Sequence, residues 1–206
     1  MSKAVTIPGT DGQPRCRWCA AAPEFEPYHD REWGFPVADD IRLFEKICLE
    51  SFQSGLSWRT ILAKREAFRR AFSGFDFHEV AKYGDKQVAS LLQDAGIVRH
   101  RGKIEAAIHN ARCAVQLQAE TGSLAAYFWQ FEARPHTPAH PQTVTVSPES
   151  IALSKDLKKR GWKFVGPTTA FAFMQAMGLV NDHATGCVIG DKVAQARKVF
   201  KPPGLK

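Results

Sequence analysis

From residue 39 onward the chain reads as a run of helices. Asp39 and Asp40 can cap an N-terminus, and after them Ile41, Phe44, Cys48 and Phe52 recur at spacings of three and four, with Leu43 and Ile47 widening the apolar stripe. Ile61, Leu62, Arg65, Phe68 and Phe72 suggest a second helix ending near Gly74, and Asp76 with Glu79 reads as an acidic capping box for a short helix through Val80. The stretch VASLLQDAGIVRHRGKIEAAIHNARCAVQL holds two helical patterns with a very short break at Asp94, Ala95, Gly96 and Ile97, so the two helices must turn back on each other. Leu124, Tyr127, Phe128 and Phe131 mark a further helix, followed by the Pro-rich connection RPHTPAHPQ. Ser147 before Pro148 predicts an N-cap with proline in the first turn, and Gly161 ends that segment. Gly166 and Pro167 precede an apolar helix carrying Phe171, Met174 and Met177, which Gly178 closes. No alternating pattern is long enough to propose a sheet, so the fold is predicted all-α. Residues 1–14, polar with Gly and Pro, read as a flexible leader.

Composition narrows the function. With 206 residues, 44% of them hydrophobic, the chain can build one domain or two small lobes sharing a core, and neither disorder nor a fibre fits. The 28 basic residues outnumber the 21 acidic ones, a net +7 that favours a polyanionic partner, with nucleic acid ahead of an anionic membrane. No run approaches the roughly 20 apolar residues of a membrane span, and the basic residues are dispersed, so no membrane partner is expected. Cys16, Cys19, Cys48, Cys113 and Cys187 are too scattered for a disulfide framework, and no apolar signal segment opens the chain. A reducing, cytoplasmic setting is the expectation.

Three constellations carry candidate chemistry. Cys16 and His29 lie near one end, while His183 and Cys187 stand four apart near the other, on one face if that segment is helical. Two thiolates and two imidazoles suit a tetrahedral, structural zinc site, and such a clip would hold together two end segments poor in apolar residues. On spacing alone Cys19 competes with Cys16, and two buried cysteines with two hydrogen-bonded histidines are the plainer alternative. The second constellation is the helix break at Gly96. Amides of the following first turn can hold a phosphate oxygen, with Arg99, Arg101 and Lys103 adding charge; the alternative is an ordinary helical hairpin with a solvated basic face. The third is Glu50 at the end of an apolar helix, with Trp58 after it and Trp18 and Tyr28 beside the proposed metal ligands. Aromatic faces around a carboxylate suit a flat, cationic base. The plainer alternative is a solvated helix-end Glu50 with tryptophans in the core.

Together these segments resemble the 3-methyladenine DNA glycosylase I family, a branch of the helix-hairpin-helix DNA glycosylases. The matching motifs are C-x-W at 16–18, YHDREWG at 28–34, LFEKICLESFQSGLSW at 43–58, DAGIVRHRGKI at 94–104, KKRGWKFVGPTT at 158–169 and MGLVNDHATGC at 177–187. Six separated motifs in order make a specific match over nearly the whole chain. The resemblance implies a single glycosylase domain at 15–190 with two helical lobes: a hairpin lobe at roughly 40–130 and a zinc lobe from 15–39 and 145–190, before a basic tail at 191–206. It implies one structural zinc per chain on Cys16, His29, His183 and Cys187, with Cys16 chosen over Cys19 because the family's cysteine sits two residues before the tryptophan. It places the base-recognition carboxylate at Glu50 and the pocket aromatics at Trp18, Tyr28 and Trp58.

The resemblance also implies an activity. A monomer would bind double-stranded DNA containing alkylated adenine, flip the nucleotide out, hydrolyse its N-glycosidic bond and release free 3-methyladenine without cutting the strand. No general base is implied. The contrasting expectation is a zinc-stapled helical protein that binds damaged or bent DNA without hydrolysing it, and Glu50 separates the two.

Overall fold

The structure, a computed structural model, describes residues 5–204. Two short strands, β1 (Thr6–Pro8) and β2 (Pro14–Cys16), pair antiparallel with Thr6 opposite Cys16. The expected flexible leader is therefore a hairpin over residues 6–16. A tight turn at 9–13, with Gly12 at φ 78°, supplies what a hydrophobic period could not reveal. Residues 1–4 of that leader lie outside the described residues.

A 3-10 turn (Arg17–Ala21) and helix α1 (Phe25–Arg31) follow, then the central helix α2 (Asp40–Gln53), capped by Asp39 accepting from the Arg42 amide at 2.8 Å. Positions 43–52 of α2 are buried without a break, so α2 is enclosed on all sides and its polar members must find partners inside. Helices α3 (Trp58–Ala71), α4 (Phe77–Val80), α5 (Asp85–Leu91), α6 (Arg101–Thr121) and α7 (Leu124–Phe128) complete the middle of the chain. Helices α8 (Pro148–Lys159), α9 (Pro167–Ala176) and α10 (Val188–Val199) complete the end.

Helix α2 packs on α3, α6, α7 and, from the C-terminal part of the chain, α9. Phe44, Phe52, Phe68, Phe72, Phe75, Phe77, Phe128 and Phe173 are fully buried in one continuous core. Each buried phenylalanine contributes about 1.5–3 kcal/mol, and Phe52 meets Phe68 with ring centroids 4.6 Å apart.

Three further expectations change. Asp76 caps α4 by accepting from the His78 amide, so the aspartate alone makes the cap without Glu79. The break between α5 and α6 spans residues 92–100, longer than the four residues the pattern suggests, because His100 starts α6 by accepting from the Lys103 amide. The expected C-terminal tail is helical through Val199. Ile189 and Val193 are buried, which fixes α10 against β2, while residues 205–206 lie outside the described residues. Among the described residues no helix is long and apolar enough to cross a membrane.

Candidate active site

Trp18 from the 3-10 turn, Tyr28 from α1, Glu50 from α2 and Trp58 from the first turn of α3 line one cavity of about 300 Å³. The sequence predicts all four, and the fold brings them together. Trp58 reaches the wall because Ser57 caps α3 immediately before it, accepting from the Thr60 amide. The rings enclose the space: Trp18 lies 5.1 Å from Trp33, and Tyr28 lies 5.4 Å from Trp58, between centroids. Trp33, Gln53, Gln142 and Gln175, which the sequence did not single out as pocket residues, complete much of the wall. Gln142 ends the Pro-rich connection and Val144 follows it; the segment is anchored where the Gln142 backbone amide donates to Asp182 at 2.8 Å.

The carboxylate is not alone. One turn before Glu50, the Lys46 ammonium sits 2.7 Å from Glu50 Oε1, donates to the Tyr28 hydroxyl at 2.8 Å and lies 3.5 Å from the Trp58 ring centroid. Burial draws the lysine pKa below its ordinary value, and Glu50 opposes that pull. Burial and then the Glu50 charge push the Tyr28 phenol well above its ordinary value. Tyr28 therefore stays protonated at neutral pH: it accepts from Lys46 and keeps its own O–H to donate. Sequence reasoning missed Lys46, although its position four residues before Glu50 on one helix face is a readable signal. Trp58 Nε1 is buried with no hydrogen-bond partner among the described residues.

Behind this wall Glu32 binds Arg65 at 2.7 Å and Arg42 at 3.1 Å. Burial alone would raise the Glu32 carboxyl, but Arg65 and Arg42 hold it below its ordinary value.

Beside the cavity, ligand atoms of Cys16, His29 and Cys187 lie within 4.8 Å of one another, and all three residues are buried. Two of the three stand close in sequence to pocket residues. Cys16 and Trp18 are two residues apart, and Tyr28 and His29 are neighbours on α1. His29 Nδ1 contacts Asp30 Oδ1 at 2.8 Å, which leaves Nε2 toward Cys187 Sγ at 3.6 Å. Burial alone would raise Asp30, but Arg15, 2.7 Å away, and His29 hold it below its ordinary value. The Cys16 thiol, with help from His29, draws Cys187 down against its burial, a thiolate in the form that a metal binds.

His183 stands just outside this trio, its ring centroid 5.0 Å from that of His29. Its Nδ1 contacts Asn181 Oδ1 at 2.8 Å, while Nε2 is buried with no partner among the described residues. Burial lowers its pKa to about 4, so the imidazole is neutral, as a ligand must be. Gly34, at φ 88°, makes room for it, since a Cβ there would come 2.7 Å from His183 Cε1. The segment between His183 and Cys187 is a turn rather than the helix that a shared face would require; the Cys187 amide donates to Ala184 and Cys187 precedes α10. Cys19 stays outside the group and lines a separate groove with Arg15, Glu26 and Asp30.

The hairpin departs further from expectation. The Gly96 amide is taken by Asp94 Oδ1 at 2.7 Å, and a Cβ on Gly96 would come 2.9 Å from Ala67 Cβ. The glycine is thus needed to pack the loop on α3. Lys103 turns inward: its ammonium donates to the carbonyl oxygens of Phe52 and Ser54 at the end of α2, and only 8% of the residue is exposed. It caps a helix C-terminus instead of facing phosphate. Arg99 and Arg101 remain exposed, Arg101 loosely paired with Glu105 at 3.3 Å.

Residues 18–190 match the family described as methyladenine glycosylase. DNA-3-methyladenine glycosylase 1 of Escherichia coli (strain K12) is 49% identical over 179 residues, covering 84% of this chain and 95% of that protein. A crystal structure of a 3-methyladenine DNA glycosylase I superposes with a TM-score of 0.80 at 48% identity, covering 84% of this chain and 98% of that one. The Staphylococcus aureus 3-methyladenine DNA glycosylase I, whose structure was described for its recognition of 3-methyladenine, superposes at 0.79 with 36% identity, covering 84% and 95%.

Proposed function

The chain belongs to the methyladenine glycosylase family, and from that premise we propose that it excises 3-methyladenine from alkylated double-stranded DNA, as a monomer in the cytoplasm. The observation that carries the reading is the buried Glu50 carboxylate in an aromatic cavity of about 300 Å³, large enough for one purine. A protein that only grips bent DNA has no use for such a group.

Methylation at N3 makes the adenine cationic, so breaking the bond between C1′ and N9 sends its electron pair into the base, which leaves neutral. Water then attacks the sugar cation and loses a proton. The protein's share is to hold the flipped nucleotide, recognise the base and exclude competitors. Trp18 and Trp58 stack on it, each aromatic contact worth roughly 0.5–1.5 kcal/mol. Glu50 accepts from the exocyclic amine, and Tyr28 donates to an adjacent ring nitrogen. Among the described residues the cavity lining includes no lysine, and Lys46 is held by Glu50, Tyr28 and Trp58. That supports a monofunctional enzyme, since a Schiff base with the sugar needs a free amine.

One structural zinc fits the neighbouring group: Cys16, His29 and Cys187 are gathered, and the orphaned His183 Nε2 is the natural fourth ligand. When bound, the ion would clamp the two ends of the chain and fix Trp18 and Tyr28. Arg99 and Arg101 supply phosphate attraction. Purified protein incubated with methylated DNA should release free 3-methyladenine and leave the abasic strand intact; no release would end the reading.

A further inference from the structure

Lys46 does not line the cavity, yet its ammonium touches three residues that do: Glu50 at 2.7 Å, Tyr28 at 2.8 Å and the ring of Trp58 at 3.5 Å. Placing a charge there is costly, because burial strips its water and an unbranched apolar side chain would fill the same path without that loss. Its position changes what each neighbour offers to a ligand. One Glu50 oxygen is taken, and the other is left to accept. The Tyr28 oxygen already accepts a hydrogen bond from Lys46, so its O–H points to a different partner. Trp58 has a cation against its ring from behind, which weakens the attraction of that ring for a second cation.

The distribution of charge matters for the reaction. As the bond between C1′ and N9 breaks, positive charge leaves the base and develops on the sugar. An unopposed carboxylate against the base would stabilise the cationic substrate more than the transition state, and so slow the step. Lys46 offsets that carboxylate in advance.

We propose that Lys46 is a specificity-determining positioning residue: from behind the wall it makes the pocket select a base by the donor and acceptor order along its edge, and less by positive charge. This rests on the glycosylase reading above. No cation other than Lys46 lies within hydrogen-bond or ion-pair distance of Glu50 among the described residues; Arg65 and Arg42 are engaged by Glu32.

The test compares two free bases, neutral 3-methyladenine and the permanently charged 3,9-dimethyladeninium, which present the same edge. Their Kd ratio is measured for wild type, Lys46→Met and Lys46→Arg, with melting curves to establish folding. Lys46→Met should shift the ratio toward the cation by about tenfold or more. In single turnover on methylated DNA it should bind substrate more tightly and cleave it more slowly, while Lys46→Arg keeps the wild-type ratio. An unchanged ratio in Lys46→Met, or an equal shift in Lys46→Arg, overturns the proposal. If Lys46→Met does not fold, Lys46→Gln, which keeps hydrogen bonding but not charge, is read by the same criteria. Absence of base release by wild type would count against the glycosylase reading alone, since the Kd ratio is a binding measurement.

Discussion

The cavity and the hairpin hold their charges in opposite ways. At the cavity wall Glu50 is buried against Lys46 behind it, within hydrogen-bond range, and Tyr28 is tied to the same ammonium. On the hairpin Arg99 and Arg101 stand in solvent, and Lys103, the cation there with strong partners, has been drawn inside to cap α2. Fixed, desolvated groups can tell one base edge from another. Mobile, hydrated ones supply attraction that any phosphate backbone satisfies. On the proposed reading the molecule separates choosing the lesion from holding the duplex, and the two are joined through α2, which carries Glu50 and ends at the Lys103 cap.

The strongest challenge to this separation is removal of a proposed metal ligand. Cys187→Ala should abolish zinc binding, measured by elemental analysis, and lower stability by more than about 3 kcal/mol, roughly 6–12 °C in Tm. Base binding should fall with it, because Trp18 and Tyr28 sit beside Cys16 and His29. Binding to undamaged duplex at a temperature where the variant is folded should persist. Loss of duplex binding together with base binding would show that the two regions are not separable.

Lys103→Met comes next. It leaves two carbonyl oxygens at the end of α2 without their donor, and should cost about 2–3 kcal/mol in a denaturant melt. Because that ammonium faces inward, the salt dependence of duplex binding should not change. Arg99→Gln and Arg101→Gln should do the reverse: each lowers the slope of log K against log salt by about one, with stability within about 0.5 kcal/mol of wild type. A smaller effect belongs to Glu32. Its carboxyl lies below the ordinary 4.5 in the folded protein, so its contribution is complete above that pH and is lost as pH falls below it. Tm should therefore decline more steeply below that pH in wild type than in Glu32→Gln.

The same division separates what is legible in the sequence from what is not. The helices from α2 to α9 are legible because their apolar positions recur regularly and their caps, Asp39 and Ser147, are the residue types that accept from first-turn amides. The cavity is legible because Glu50, Trp18, Tyr28 and Trp58 are chemically distinctive and lie in motifs. The hairpin over residues 6–16 is hidden by strands of three residues, too short for an alternating pattern. Lys103 and Gly96 mislead because sequence tells which side chains are basic or small but not which way they face. His183 shows the intermediate case: the residue is next to the group it is expected to join, on a turn in place of a helix.

Single-turnover excision by Glu50→Gln bears most directly on the account. The substitution keeps the side chain's size and removes the charge opposite Lys46. On DNA containing 3-methyladenine, with enzyme below saturation so that recognition counts, base release should fall at least about a hundredfold because the unpaired Lys46 charge opposes entry of the cationic base, while zinc content, Tm to within a few degrees and undamaged-duplex binding stay near wild type. Release at the wild-type rate would contradict the assignment of Glu50, and with it the claim that the buried pair at the cavity wall governs recognition of the lesion.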